Sequence, residues 1–67
     1  MVNVWEYAND LPFVNVKGTD GSSFYGKVIN VIDSEELEEN DDFIAIEAKN
    51  GEIRLFSESE IASIERV

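Results

Sequence analysis

Apolar and polar residues alternate along much of the chain with the period of β-strands. Val14 and Val16 alternate with polar neighbours, which predicts a half-buried strand that begins at Phe13. A longer β-rich run follows over residues 23–32. A strand of this length in a small domain must bend to cover its apolar face, and a glycine inside a strand is typical of a bulge or a barrel corner. We therefore expect the second strand to bend at Gly26.

Shorter strands are predicted in the rest of the chain. Residues 43–49 form the third strand and residues 52–56 the fourth. Ile53 and Leu55 are expected to face inward on the fourth strand. Residues 61–67 form a short last strand. The pattern predicts an all-β fold, a small five-stranded, strongly bent antiparallel barrel that is closed or nearly closed.

Short connections separate these strands. Asp20-Gly21 and Asn50-Gly51 are both pairs that favour tight hairpin turns, because glycine adopts a positive φ without strain. Residues 57–60, with the sequence SESE, break the strand pattern and predict a single helical turn before the last strand.

Residues 1–11 form an N-terminal lead-in whose pattern fits either a short helical turn or an extended segment. Pro12 ends any helix before Leu11. Trp5 and Tyr7 are expected to cover one open end of the core. The alternative is that these two side chains form an exposed aromatic contact site.

Residues 33–42 form an acidic loop with one apolar residue, Leu37, and no basic residue. A helical turn is expected around residues 35–39. The spacing does not match a calcium-binding EF-hand loop, which needs a glycine where this segment has Glu38. The segment is therefore interpreted as a solvated loop and a candidate interaction site. Its carboxylates are Asp33, Glu35, Glu36, Glu38, Glu39, Asp41 and Asp42.

Length and composition limit the function classes. A chain of 67 residues supports one small domain, residues 1–67. The chain has no cysteine and no histidine, which removes the commonest metal ligands and catalytic bases. Catalysis by serine, lysine and carboxylates alone would need a substrate cleft for which so small a barrel has little room. We expect a protein that is not an enzyme and that has no cofactor or metal site.

The charge balance disfavours polyanionic partners. Fifteen acidic residues against five basic ones give a net charge of −10, and the basic residues are scattered singly along the chain. Such a field repels nucleic acid and anionic membrane surfaces. The sequence shows no signal peptide and no apolar run that could span a membrane, so a cytoplasmic location is expected.

Residues 14–65 resemble the Sm-like family of small barrels. Asp20-Gly21, then Gly26, then a hydrophobic run ending in Asp33 are similar to the first motif of that family. Residues 52–64 occupy the place of its second motif. The resemblance implies a five-stranded, strongly bent barrel of the Sm-like or Src-homology-3-like type. It also implies assembly into rings through edge strands, with uridine-rich RNA bound in a central pore.

The residues that contact RNA in that family are not matched. Its asparagine after the first motif falls in residues 34–38, SEELE, and its arginine-glycine pair falls in residues 56–58, FSE. Asp33 also lies one residue later than the usual spacing from Gly26. Carboxylates therefore stand where a phosphate would be received.

These observations predict a non-enzymatic interaction module that binds a protein partner through a sheet edge or through the acidic loop. Homo-oligomers formed through edge strands are expected if the edges pair with each other. The alternative is an Sm-like RNA-binding ring subunit, in which assembly creates a site that one chain lacks.

Overall fold

A five-stranded antiparallel sheet makes up most of the structure, a computed structural model that describes residues 2–67. Met1, the first residue of the expected lead-in, lies outside the described residues. The strands are β1 (Phe13–Gly18), β2 (Ser23–Ile32), β3 (Phe43–Glu47), β4 (Ile53–Ser57) and β5 (Ile61–Arg66). Their order in the sheet is β4-β3-β2-β1-β5. The all-β class and the five antiparallel strands are confirmed.

Within residues 2–67, three short helical segments connect or precede the strands. A 3₁₀ helix (Val4–Tyr7) precedes β1, so the lead-in is helical and not extended. The helix α1 (Ser34–Leu37) lies in the acidic loop between β2 and β3. A second 3₁₀ helix (Glu58–Glu60) connects β4 to β5 and confirms the expected helical turn. The N-terminal lead-in and the acidic loop therefore each contain one turn of helix.

The strand β2 is shared by the two halves of the sheet. It pairs with β1 over residues 23–27 and with β3 over residues 27–32. The register against β3 shifts between Val28 and Asn30, which makes a bulge at Ile29. A bulge bends its strand and increases the local twist. The expected bend in β2 is present, but the bulge lies at Ile29 and not at Gly26.

Gly26 has a different role, which is to let two strands approach closely. A Cβ atom at this position would lie 2.4 Å from the carbonyl oxygen of Glu47 and 2.9 Å from the Cγ2 atom of Ile46. Both atoms belong to β3. Glycine is therefore required at this point of β2 because the backbone of β3 occupies the space of a side chain.

Both hairpins of the sheet use the same three-residue connection. Gly18 N–H donates to the Ser22 carbonyl at 2.8 Å, and Ala48 N–H donates to the Glu52 carbonyl at 2.8 Å. The third residue of each connection is a glycine with positive φ, +88° at Gly21 and +90° at Gly51. This is the geometry of a type I turn followed by a left-handed residue. The two predicted turns are confirmed, with one more residue in each loop than a two-residue turn has.

The longer loop changes which side chains of β4 are buried. A two-residue turn at Asn50-Gly51 would pair Ile46 with Leu55, whereas the observed register pairs Ile46 with Arg54. A shift of one residue moves every side chain of a strand to the other face. The prediction that Ile53 and Leu55 face inward is therefore wrong: they are 54% and 50% exposed, respectively.

The core lies on the concave side of the sheet and is formed mainly by aliphatic side chains. The 3₁₀ helix Val4–Tyr7 covers one end of it. Burial of this apolar surface is the main stabilising contribution available to a chain without disulfides. The buried cluster consists of Val4, Tyr7, Val14, Val16, Val28, Ile44, Ile46, Phe56 and Ile61.

The sheet does not close into a barrel. β5 pairs with β1 and β4 pairs with β3, which leaves β4 and β5 as the two edges of the sheet. The three-residue helix Glu58–Glu60 turns the chain from one edge to the other. The prediction of a closed or nearly closed barrel is corrected to a bent, open sheet whose two edge strands are joined along the chain by this connection.

We expect Gly26→Ala to destabilise the fold, because the added methyl group would displace the backbone of Glu47. Overpacking of this kind costs about 1–3 kcal/mol. In a domain of this size the melting temperature should fall by roughly 5–20 °C. Thermal unfolding followed by circular dichroism measures the change.

Ser23→Ala is the matched control, since Ser23 lies exposed on the same strand. The control should keep the melting temperature of the wild type to within about 3 °C. A Gly26→Ala variant that melts with the control would contradict the close approach of β2 and β3 at this point.

Candidate functional site

The outer edge of β4 combines free backbone groups with exposed apolar side chains. Ala48 and Glu52 form the hydrogen-bonded pair that closes the hairpin, and such pairs alternate with pairs that are not hydrogen-bonded. Ile53 and Leu55 therefore occupy positions whose N–H and C=O groups point away from β3. The same two side chains are half exposed. An extended segment beside β4 could bind both the backbone and the side chains of these residues.

Arg54 lies between them and points to the other face of the strand. Its guanidinium carbon lies 5.2 Å from the ring centroid of Phe24 and 5.5 Å from that of Phe56, which are cation–π distances. The Nε atom is 4.0 Å from the carboxylate of Glu52, at the limit of an ion pair. The two rings thus fix the position of the guanidinium more closely than any carboxylate does.

A recess of about 170 Å³ opens beside this guanidinium, between β4 and the turn that joins β1 to β2. Asp20 in that turn accepts hydrogen bonds from the hydroxyl of Ser22 at 2.6 Å and from its backbone N–H at 3.0 Å. These bonds, the hydroxyl first, lower the pKa of Asp20, so its carboxylate is ionised at neutral pH. The recess is lined by Gly18, Thr19, Asp20, Ser22, Arg54, Leu55, Phe56 and Glu60.

The acidic loop divides into residues that hold it in place and residues that do not. Asp33 caps α1 by accepting from the N–H of Glu35 at 2.8 Å. Asp41 accepts from the N–H of Ser59 at 3.2 Å. Asp42 accepts from the N–H of Ser34 at 2.8 Å. These three carboxylates attach the loop to itself and to the helix Glu58–Glu60.

The remaining acidic side chains of the loop are free for an interaction. They are all exposed, and within residues 2–67 the ion pairs are those of Arg54 with Glu52 and Arg66 with Asp10. The loop therefore presents uncompensated negative charge beside the half-exposed Leu37. These residues are Glu35, Glu36, Glu38 and Glu39.

The two aromatic residues of the lead-in have different environments. Trp5 is exposed, and its Nε1–H donates to Asp42 at 2.7 Å. Tyr7 is only 7% exposed and belongs to the core, with the guanidinium of Arg66 4.7 Å from its ring centroid. Tyr7 thus covers the core as expected, and the alternative of an exposed contact is wrong for Tyr7. Trp5 alone remains accessible.

One exposed aromatic pair of the sheet was not predicted. The rings of Phe13 and Tyr25 stack with centroids 6.2 Å apart and are 49% and 51% exposed. They border an open groove of about 640 Å³ together with Lys27, Glu47 and Lys49. The alternation that buries Val14 already placed Phe13 on the outer face, so this residue could have been found from the sequence.

The described residues provide no metal centre and no membrane span. Residues 2–67 contain no group of three or more acidic, histidine or cysteine side chains placed to hold a metal ion. In the same range no helix has the length and apolar character needed to cross a membrane.

Comparison with known proteins gave no match: no family model, no curated protein and no solved structure is significantly similar to this chain.

We expect Asp42→Asn to lower the melting temperature at pH 7, because Asp42 ties the acidic loop to Trp5. The hydrogen bonds from Trp5 and Ser34 lower the pKa of Asp42 in the folded chain. Its contribution to stability is therefore complete above the ordinary carboxyl pKa of about 3.9 and is lost as the pH falls through the lowered value. The difference between wild type and Asp42→Asn should shrink below about pH 4.

Thermal unfolding over a range of pH tests this expectation. Glu39→Gln removes one negative charge from the same loop at a side chain that makes no hydrogen bond to Trp5 or Ser34, so it controls for general charge repulsion. A difference between wild type and Asp42→Asn that stays constant down to pH 2 would contradict the assignment.

Proposed function

We propose that this chain is a non-enzymatic interaction module that binds an extended segment of a protein partner along the free edge of β4. The observation that carries the proposal is the pair Ile53 and Leu55, whose backbone groups and apolar side chains are both accessible. Proteins that do not use a sheet edge usually protect it with charges, prolines or a covering segment. Strand addition to an exposed edge is a recurrent mode of peptide recognition.

The binding free energy expected at the edge of β4 suits a transient complex. Each backbone hydrogen bond to an added strand contributes about 0.5–1.5 kcal/mol net. Burying the exposed half of Ile53 and of Leu55 adds about 1 kcal/mol for each side chain. Part of this gain is offset by the entropy lost on association. An edge with two such residues therefore supports weak binding, which contacts outside β4 would strengthen.

The acidic loop supports the same role through its charge. Its free carboxylates and the net charge of −10 attract basic partners over long range and raise the rate of encounter. Asp41 and Asp42 fix the loop to the rest of the domain by accepting from Ser59 and Trp5, so its charge is held at a defined place beside the sheet. The proposed absence of catalysis is supported by a sequence without histidine and cysteine.

An Sm-like ring subunit that binds RNA is the second candidate. It is favoured by the presence of two free edges, β4 and β5, on one chain. It is disfavoured by the acidic loop and by the helix Glu58–Glu60, which place carboxylates where the resemblance would require phosphate-binding groups. Light scattering combined with a gel shift on uridine-rich RNA distinguishes this candidate from a protein-binding module.

We expect the double substitution Ile53→Lys and Leu55→Lys to abolish partner binding while the domain stays folded. Charged lysines on an edge strand block the addition of another strand. Both positions are half exposed, so the loss of stability should not exceed about 1 kcal/mol. The measurement is an affinity capture in which partners retained by the wild type are compared with those retained by the variant.

Ser63→Lys on the exposed part of β5 is the matched control. Partners that are lost with the β4 variant and kept with the β5 control support the proposal. Partners kept by both variants would place the binding site elsewhere on the chain. An oligomer of the wild type that dissociates in the β4 variant would instead assign this edge to self-association.

A further inference from the structure

We infer that the partner segment bound at β4 is basic, an extended strand in which cationic side chains alternate with apolar ones. This inference rests on the proposed function, because it names the chemistry of the partner for the same edge. It follows from the faces that an added strand would meet and from the charges around them.

The geometry of a sheet determines where the side chains of an added strand would lie. Successive residues of a strand point to opposite faces. Every second side chain of the partner would therefore lie on the outer face beside Ile53 and Leu55, and apolar residues suit these positions. The side chains between them would lie on the face of Arg54 and would enter the recess that this residue lines.

The recess and the ends of β4 are richer in carboxylates than in cations. Asp20 lines the recess and is ionised. Glu60 also lines the recess, and Glu52 precedes β4. The opposing cation is Arg54, whose guanidinium is held against the rings of Phe24 and Phe56. A cationic partner side chain is thus favoured by the carboxylates of Asp20, Glu52 and Glu60 and opposed by one guanidinium.

The charge of the whole chain favours the same class of partner. With a net charge of −10, the long-range field slows the association of an acidic segment and accelerates that of a basic one. The exposed aromatic pair on the sheet gives no such preference. The pair Phe13 and Tyr25 lies beside two lysines and one glutamate, so its charges select no class of partner.

Synthetic peptides test the inference directly. Three short peptides are compared in which valine alternates with lysine, with glutamine or with glutamate. Binding is followed by NMR titration of the labelled protein, and hydrogen exchange of the Ile53 and Leu55 amides reports whether a strand is added at β4. We expect the lysine peptide to bind about tenfold more tightly than the glutamate peptide, with the glutamine peptide between them.

Two charge-neutralising variants separate the recess from the general field. Asn in place of Asp20 can still accept the hydrogen bonds of Ser22, so Asp20→Asn should keep the turn intact. We expect this variant to bind the lysine peptide about two- to fivefold more weakly than the wild type does and to bind the glutamine peptide with unchanged affinity. Glu36→Gln removes one negative charge from the acidic loop and should change the affinity for the lysine peptide less than twofold.

The outcomes distinguish this inference from the proposed function. Protection of the β4 amides by all three peptides with equal affinity would overturn the preference for cations and leave strand addition standing. Binding of the lysine peptide without protection of these amides would overturn both the inference and the proposed function. Tighter binding of the glutamate peptide than of the lysine peptide would overturn the inference alone. Failure of every peptide to bind at millimolar concentration would overturn the inference, while the β4 double variant tests the proposed function independently.

Discussion

The close contact between β2 and β3 at Gly26 is the constraint on which the rest of the structure depends. At this residue the carbonyl of Glu47 occupies the space of a side chain, and directly after it β2 exchanges one pairing partner for the other. The bulge at Ile29 then bends the strand, which brings the inner faces of β1 and β3 together over the core. A chain of this length cannot build a second core. The other elements must therefore pack against the one core that this bend creates.

Part of the acidity of the chain serves to hold segments onto this bent sheet. Asp42 binds Trp5 and the start of α1, and Glu58 accepts a hydrogen bond from the N–H of Val4 at 3.0 Å. Glu60 caps its own 3₁₀ helix through Ser57. These carboxylates accept hydrogen bonds from backbone N–H groups at helix ends, which would otherwise have no partner within the helix. The acidic residues are thus of two kinds: some hold segments in place, whereas others, such as the exposed glutamates of the acidic loop, make no such bond.

The sequence was sufficient for the number and approximate extent of the strands, because alternation and turn residues are local signals. It also located both hairpins, since Gly21 and Gly51 are needed for positive φ. It was not sufficient for the inward face of β4. The segment Ile53–Ser57, with the sequence IRLFS, carries apolar residues on both faces, so its alternation fits either orientation. The face is decided by the length of the preceding loop, and an Asn-Gly pair is compatible with loops of two and of three residues.

The same choice of loop length creates the candidate binding edge. In either register Ile53 and Leu55 would present their backbone groups to the free side of β4, because this depends on their place in the alternation of the hairpin ladder. With a two-residue loop, however, their side chains would be paired with the core face of β3 and buried. The three-residue loop turns them outward, so that the free backbone groups and the free apolar side chains belong to the same residues. The part of the fold that the pattern predicted wrongly and the edge that we propose as the binding site therefore have one physical cause.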